Sequence, residues 1–301
     1  MTKNNRGLSA ALGAFAIWGL LPIYWRTVSE AIPIEILSHR IIWSTVVTLL
    51  ILIFWGKATQ LITVLKDRNV VLRFMLTSLL LSVNWLTYIW AVNSNYIIES
   101  SLGYYINPLV NVLLGVVFLQ ERLRKLQWIA LFFAFLGICY LTFGYGQFPW
   151  IALMLAVTFG LYGLLRKTAP LPSLEGLFLE TAILFIPALT VLLYLTSQGQ
   201  SDFIHQTING RMLLIATGIV TSLPLLLFGY AAQKIQLSTL GVVQYLAPSI
   251  QLSIGIFVYG ESFSKQQMIG FSLVWAGLLI YATEGITIRI RRSRRGLQNK
   301  N

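Results

Sequence analysis

The sequence predicts an all-α integral membrane protein, with ten transmembrane helices arranged as two inverted five-helix repeats. Three observations carry this. Hydrophobic residues make up 56% of the 301 and charged residues only 11%, with a mean hydropathy of +0.74; a soluble domain carries about 25% charged residues. Apolar runs close to the roughly 20 residues that cross a bilayer recur at 7–26, 36–55, 71–92, 100–119, 127–143, 148–165, 176–196, 211–232, 239–259 and 267–286. Finally, the chain repeats itself: Leu102–Gln127, LGYYINPLVNVLLGVVFLQERLRKLQ, returns as Leu240–Gln267, LGVVQYLAPSIQLSIGIFVYGESFSKQQ.

Taken in order, the first run starts near Gly7, is long enough to span and is followed by another, so it reads as a retained helix and not a cleaved leader. The links are short; the longest, 56–70 and 197–210, cannot hold a folded domain. Any chemistry therefore sits in or between the helices. The single cysteine, Cys139, excludes an intramolecular disulfide framework and a cysteine-based metal cluster.

The fourth and ninth runs define the repeat. Tyr105, Pro108, Gly115, Glu121, Lys125 and Gln127 match Tyr245, Pro248, Gly255, Glu261, Lys265 and Gln267 at an offset of 140, and the amide Asn111 matches Gln251. Earlier segments follow suit. Gly19-Leu20 aligns with Gly160-Leu161, Glu35 with Glu175, Arg40 with Glu180, and Arg73 with Arg211. Ten runs then divide as five plus five. An odd number sends the second half into the membrane with the opposite orientation, a plan associated with alternating-access carriers. The expected units are 7–143, 148–286 and a basic tail, 287–301.

Charge sets the topology. With the N-terminus in the cytoplasm, only Arg26, Arg40, Arg211 and Lys265 of the 22 Lys and Arg fall on the outer side. Both termini are expected inside. The net charge of +12 is thus a topology signal, and the Arg-rich tail an anchor beside anionic headgroups. The tail lacks interleaved aromatics and a folded platform, so nucleic acid is not an expected partner.

Ionisable groups at membrane depth are functional hypotheses by default. His39, Arg40, Glu99 and Glu180 form the candidate gating or coupling set. Arg40 is expected to meet Glu30, Glu35 or Glu99, and Glu180 to meet Arg166 or Lys167. The competing reading has these as helix-end charges reaching the headgroups, and His39 as a hydrogen-bonded packing residue. Amides cannot face lipid without cost. Trp18, Tyr24, Asn84, Trp85, Trp90, Asn93, Tyr104, Tyr105, Asn107, Gln244 and Tyr245 are therefore the candidate lining of a solute cavity, with Trp25, Tyr88 and Asn111 nearby. Interhelical packing and interfacial aromatic belts are the alternative; Trp43, Trp55, Trp128 and Trp150 fit a belt. Pro108 and Pro248 are expected helix breaks that free carbonyls one turn earlier. Glu121 and Glu261 end their helices against the macrodipole. Their expected partners are Arg122, Arg124 and Lys125 for the first and Lys265 for the second.

The stretches Ala16–Arg26, Glu35–Ser44, Asn84–Asn93, Ser101–Asn111, Tyr162–Lys167, Leu237–Pro248 and Tyr259–Glu261 resemble, in order and spacing, the EamA family of the drug/metabolite transporter superfamily, and within it the RarD-type proteins. The likeness runs nearly full length. It implies a bundle of two EamA repeats in the bacterial inner membrane and carrier activity, usually export of small metabolites. One position departs: Gln120 stands where relatives tend to have glycine.

The leading expectation is a secondary carrier of a small metabolite or drug-like solute, rocking its two halves about a midplane site, with proton or solute counter-transport. The partners are then that solute and the bilayer, as a monomer or homodimer. No cofactor is expected. No Walker-type phosphate loop occurs, and an intramembrane enzyme lacks its parts: the two His, His39 and His205, form no HExxH, and no paired intramembrane Asp exists. A channel or an accessory membrane protein is the remaining alternative.

Overall fold

The computed structural model describes residues 3–28, 31–57, 66–94, 96–146, 148–260 and 264–298; a few side chains in these ranges, Asn93 among them, lie outside the description, as do Glu30 and Glu261. The described elements are all helical: α1 (Lys3–Thr27), α2 (Pro33–Phe54), α3 (Arg68–Asn93), α4 (Ile97–Leu119), α5 (Lys125–Tyr145), α6 (Trp150–Lys167), α7 (Ser173–Ser197), the one-turn α8 (Asp202–His205), α9 (Ile208–Lys234), α10 (Leu237–Gln244), α11 (Leu246–Phe257) and α12 (Lys265–Gln298). Ten segments are long and apolar enough to cross a membrane, with α10 and α11 counting as one. A helix satisfies its own backbone, which is why lipid selects it.

Local chemistry sets the ends. Pro33 opens α2, where its missing N–H is no loss. Thr207 caps α9 by accepting from the Gly210 N–H at 3.3 Å. The Gln127 side chain reaches back to the Arg124 N–H, 2.9 Å, at the start of α5. The basic tail does not leave the last helix; α12 continues to Gln298.

The two expected proline breaks differ, and the one at Pro108 is corrected. Helix α4 runs through Pro108 without interruption. The corresponding helix breaks at Tyr245, between α10 and α11, three residues before Pro248. The break follows the turn preceding proline, where the ring denies a carbonyl its partner. Gln120 takes a left-handed backbone, φ 54°, at the end of α4. Its repeat equivalent, Gly260, has φ 67°. Glycine adopts this conformation freely and glutamine does not, which is the physical content of the Gln120 departure.

The repeats interleave. Helix α1 packs on α9 and α11, α2 on α7 and α9, α3 on α6 and α7, α4 on α6 and α10, and α5 on α12. The broadest contacts are all between repeats. Rocking of the two sequence halves as separate bodies does not suit this packing. At the α4–α10 crossing, Gly241 lies against the Pro108 carbonyl so closely that a Cβ would stand 2.6 Å from its oxygen.

Candidate functional site

Helix direction defines two faces. The N-terminal face holds the start of α1 and the ends of α2, α4, α6 and α9. The opposite face holds the ends of α1, α3 and α7. Arg40 is seven residues into α2 from the opposite face, and Glu180 seven residues into α7 from the N-terminal face, about 10 Å each at 1.5 Å per residue. The inverted repeat places these equivalents at opposite depths, and their surroundings differ.

Arg40 sits among aromatic rings. Its guanidinium carbon is 4.9 Å from the Trp25 ring centre and 4.7 Å from that of Trp85. Its Nε donates to Thr221 Oγ1 on α9 at 3.0 Å. The rings of Tyr88 and Tyr104 stand edge to face, 6.0 Å apart, near enough to feel the Arg40 charge. None of the expected acids pairs with it among the described residues. Glu35 accepts instead from Ser201 Oγ and the Asp202 and Phe203 N–H groups, at 2.7, 2.8 and 3.2 Å. Glu99 accepts from the Ile151 N–H, 2.8 Å, at the start of α6. Both carboxylates are spent on loop ends, where N–H groups need acceptors.

The space around Arg40 is accessible. Tyr104 is 43% exposed, while Arg40, Trp25 and Tyr88 are half-buried. Trp25, Tyr88 and Tyr104 lie within about two helical turns of the opposite face. Together with Trp85 they surround Arg40 as an aromatic chamber set toward that face.

Below it lies an aromatic plug. Trp18 touches Phe15, Phe159 and Phe228, with ring centres 5.5–5.8 Å apart. Tyr162 stacks on Phe228 and donates from Oη to Glu180 Oε2 at 3.1 Å. Glu180 Oε1 faces Arg166 Nη1 at 3.6 Å, and both side chains are fully buried. Arg166 Nη2 donates to the Ser173 carbonyl, 3.0 Å, and its guanidinium faces the Phe74 ring. Small residues make room for it. A Cβ on Gly176 would come within 2.0 Å of Nη1, and one on Gly229 within 2.6 Å of Nη2. Of the two expected partners, Glu180 thus meets Arg166. Lys167 instead donates to the Ala232 and Ile235 carbonyls and stands 4.0 Å from Glu121.

The amides form their own cluster. Gln244 Nε2 donates to Asn107 Oδ1 at 2.7 Å. Asn111 Nδ2 donates to Gln244 Oε1 and Asn107 Oδ1, at 2.7 and 3.0 Å, and Asn107 Nδ2 to the Ala156 carbonyl at 2.9 Å. All three side chains are buried at the crossing of α4, α6 and α10. Their geometry is that of interhelical packing, so the cavity-lining expectation for Asn107 and Gln244 is corrected. The same holds for Tyr105, which is buried and donates to the Pro248 carbonyl at 3.3 Å, and for Tyr245, which is 1% exposed. Asn84 donates to the Leu155 carbonyl and Thr158 Oγ1, at 2.9 and 3.0 Å, joining α3 to α6. Polar groups at this depth need partners; most find them on neighbouring helices, while Asn111 Oδ1 and Tyr245 Oη have none among the described residues.

The remaining candidates scatter. Tyr24 donates to the Leu213 carbonyl. Trp90 stacks on Tyr96 at 5.6 Å and lies 5.5 Å from Trp150, an aromatic rim at the opposite face. His39 Nδ1 accepts from Trp43 Nε1 at 3.2 Å, and its ring rests on Phe203. The Trp43 backbone lies against Gly218, where a Cβ would stand 2.5 Å from the Trp43 carbonyl carbon. Glu121 does not use Arg122, Arg124 or Lys125. It accepts from the Leu237 and Ser238 N–H groups at 2.7 and 2.8 Å and from Ser238 Oγ at 2.6 Å. It therefore caps α10, whose dipole favours an anion there. Arg124 goes to Glu284 on α12, with two contacts of 2.9 Å.

A cavity of about 990 Å³ lies elsewhere, near the N-terminal face between α2, α7 and α9. Its wall includes Leu50, Phe54, Leu174, Leu226 and Tyr230, with the Lys57–Glu175 ion pair at its edge. The wall is apolar, and polar groups converge instead around Arg40.

Several residues of the chamber and seal had no place in the sequence reading: Thr221, Gly176 and Gly229, with Ser173 and Phe74. Trp25 aligns with Arg166 in the same frame as Gly19-Leu20 with Gly160-Leu161. That alignment was the one available signal for the two contact pairs.

Comparisons with known proteins bear on the whole chain. A model of the EamA-like transporter family matches twice, at residues 5–143 and 149–283. Protein RarD of Streptomyces exfoliatus is 43% identical, over 98% of this chain and 94% of that protein. The uncharacterized transporter YojE of Bacillus subtilis is also 43% identical, over 93% of this chain and 94% of its own length. Protein RarD of Escherichia coli is 36% identical, over 97% of this chain and 99% of that protein. A solved structure described only as a crystal structure of a protein superposes with a TM-score of 0.70 at 18% identity, over 93% of this chain and 98% of the other; it speaks to the fold alone. The duplicated match, the full-length relatives and the ten apolar helices agree: this chain belongs to the EamA-like transporter family.

Proposed function

We propose that the protein is a secondary carrier that exports a small solute by alternating access, with the Arg40 chamber as the solute site. The observation that carries this is the asymmetry between the two ends of the bundle. A polar, partly exposed cluster around Arg40 lies toward one face, and the fully buried Glu180–Arg166–Tyr162 layer lies toward the other. A carrier requires one open and one sealed end, exchanging in turn. With both termini in the cytoplasm, as the Lys and Arg distribution favours, the chamber faces outward and the seal inward. The membrane is then the bacterial cytoplasmic membrane.

The moving bodies are not the sequence halves, because those interleave. Helix pairs across the repeats, such as α1 with α9 and α4 with α10, are the better units. Opening the inner end requires Arg166 and Glu180 to part. Among the described residues Glu180 is the one carboxylate held at this depth by a cation, so it is the candidate for proton coupling.

The test is uptake into proteoliposomes under a pH gradient. Saturable, counter-transported flux is the expected result; flux that does not saturate and shows no counter-transport makes the protein a channel. Glu180→Gln is expected to abolish the pH dependence. A mutant that keeps the parental pH dependence removes Glu180 as the coupler. A reporter fused to the C-terminus that is active only outside the cytoplasm would overturn the orientation.

A further inference from the structure

We propose that the Arg40 chamber takes an organic carboxylate, bound through the guanidinium, with its apolar or aromatic body among the rings. This rests on the carrier reading and names its substrate class. A guanidinium has five N–H donors in a planar fork. Here Nε is spent on Thr221. Nη1 and Nη2 donate to no described residue, and neither atom is fully buried. Two indoles grip the group, at 4.9 and 4.7 Å, and fix its plane.

No carboxylate among the described residues neutralises Arg40. The ion pairs among the described residues, Lys57–Glu175, Arg124–Glu284, Arg166–Glu180 and Lys167–Glu121, all lie elsewhere, and the nearest acids by sequence, Glu35 and Glu99, accept from backbone N–H groups. An unpaired cation in the hydrocarbon zone is costly, and such groups mark ligand paths. The free edge, with two parallel donors, matches the two oxygens of a carboxylate, a geometry an ammonium cannot offer. The surrounding Trp25, Trp85, Tyr88 and Tyr104 supply apolar area with hydroxyls for a secondary polar group. A small inorganic anion would share the charge but leave the rings unfilled.

The experiment uses the full-length protein and three probes: 3-phenylpropanoate, its uncharged isostere 3-phenylpropanamide, and chloride. Binding is read by tryptophan fluorescence in detergent, and flux in proteoliposomes. The acid is expected to bind at least tenfold more tightly than the amide. Arg40→Gln is expected to erase that preference, and Arg40→Lys, which keeps the charge but loses the fork, to retain part of it. Equal affinity for acid and amide, no binding of the acid, or a preference that survives in Arg40→Gln each overturns the proposal. Chloride that displaces the acid competitively at comparable concentration overturns it in favour of an inorganic-anion site. The intact protein compared on acid and amide decides the matter even if the variants fail to fold. Saturable flux of the amide without preference for the acid would sink the carboxylate and leave the carrier standing. Selective acid binding without saturable flux of any probe would keep the carboxylate and sink the carrier.

Discussion

Arg40 and Glu180 occupy the same position in two copies of one fold, and each meets a residue near the end of the preceding helix, at equivalent places in the repeat. In the first repeat that pair is Trp25 and Arg40, 4.9 Å apart as cation and ring. In the second it is Arg166 and Glu180, 3.6 Å apart as ions. One arrangement leaves a donor edge free and accessible; the other buries every side-chain atom. Equivalent positions of one scaffold thus carry a cation–ring contact at one end and a buried ion pair at the other; under the proposed function the first receives solute and the second seals.

The comparison can be broken outright. Writing the second pair into the first, Trp25→Arg with Arg40→Glu, is expected to close the chamber and cut saturable flux at least tenfold. Unchanged flux would mean that the pair does not set the state of its end. Breaking the seal comes next. Glu180→Gln leaves Arg166 buried without its counter-ion and is expected to cost about 3–5 kcal/mol in denaturant unfolding from micelles. The Gly176→Ala variant tests the same seal through space alone, since its Cβ would meet Arg166 Nη1. Overpacking of this kind costs about 1–3 kcal/mol, and a silent Gly176→Ala would show that Arg166 has room to move.

Two smaller effects sharpen the contrast. Gln120→Gly copies Gly260 into the first repeat and relieves a left-handed glutamine, with an expected gain of about 1 kcal/mol. A loss on the same unfolding measurement would indicate that the Gln120 side chain has a contact worth more than the strain. Arg40→Met should change stability by less than about 1 kcal/mol, because the desolvation of the cation and its contacts oppose each other. A loss near that of Glu180→Gln would make Arg40 a second structural seal.

Much of the fold was legible because lipid imposes simple rules. Apolar length gives the spans, and the offset of 140 gives the repeat. The partner of Glu180 was also within reach, since few cations share its depth. The rest was hidden by distance along the chain. Spacing puts Asn107 and Asn111 on one face of α4 but cannot say that Gln244 waits there. Glu121 stands among three nearby cations and is used by an N-terminus 116 residues later. Thr221 carries no signal of its own; it matters only because α9 crosses α2 at that level. Side-chain chemistry was readable from sequence, but which neighbour claimed it first was not.

The interleaving of the repeats has a consequence for biosynthesis. Helix α1 packs on α9 and α5 on α12, so an early helix meets its partner only after most of the chain has been made. At about 5–20 residues per second, α1 waits on the order of 10–30 s in the bilayer before α9 emerges. Glu35 waits as long for Ser201 and its neighbours. The first five helices are therefore an unfinished surface with polar groups unanswered, in need of shelter at the insertion site. A truncated first half should be degraded and not accumulate as a domain.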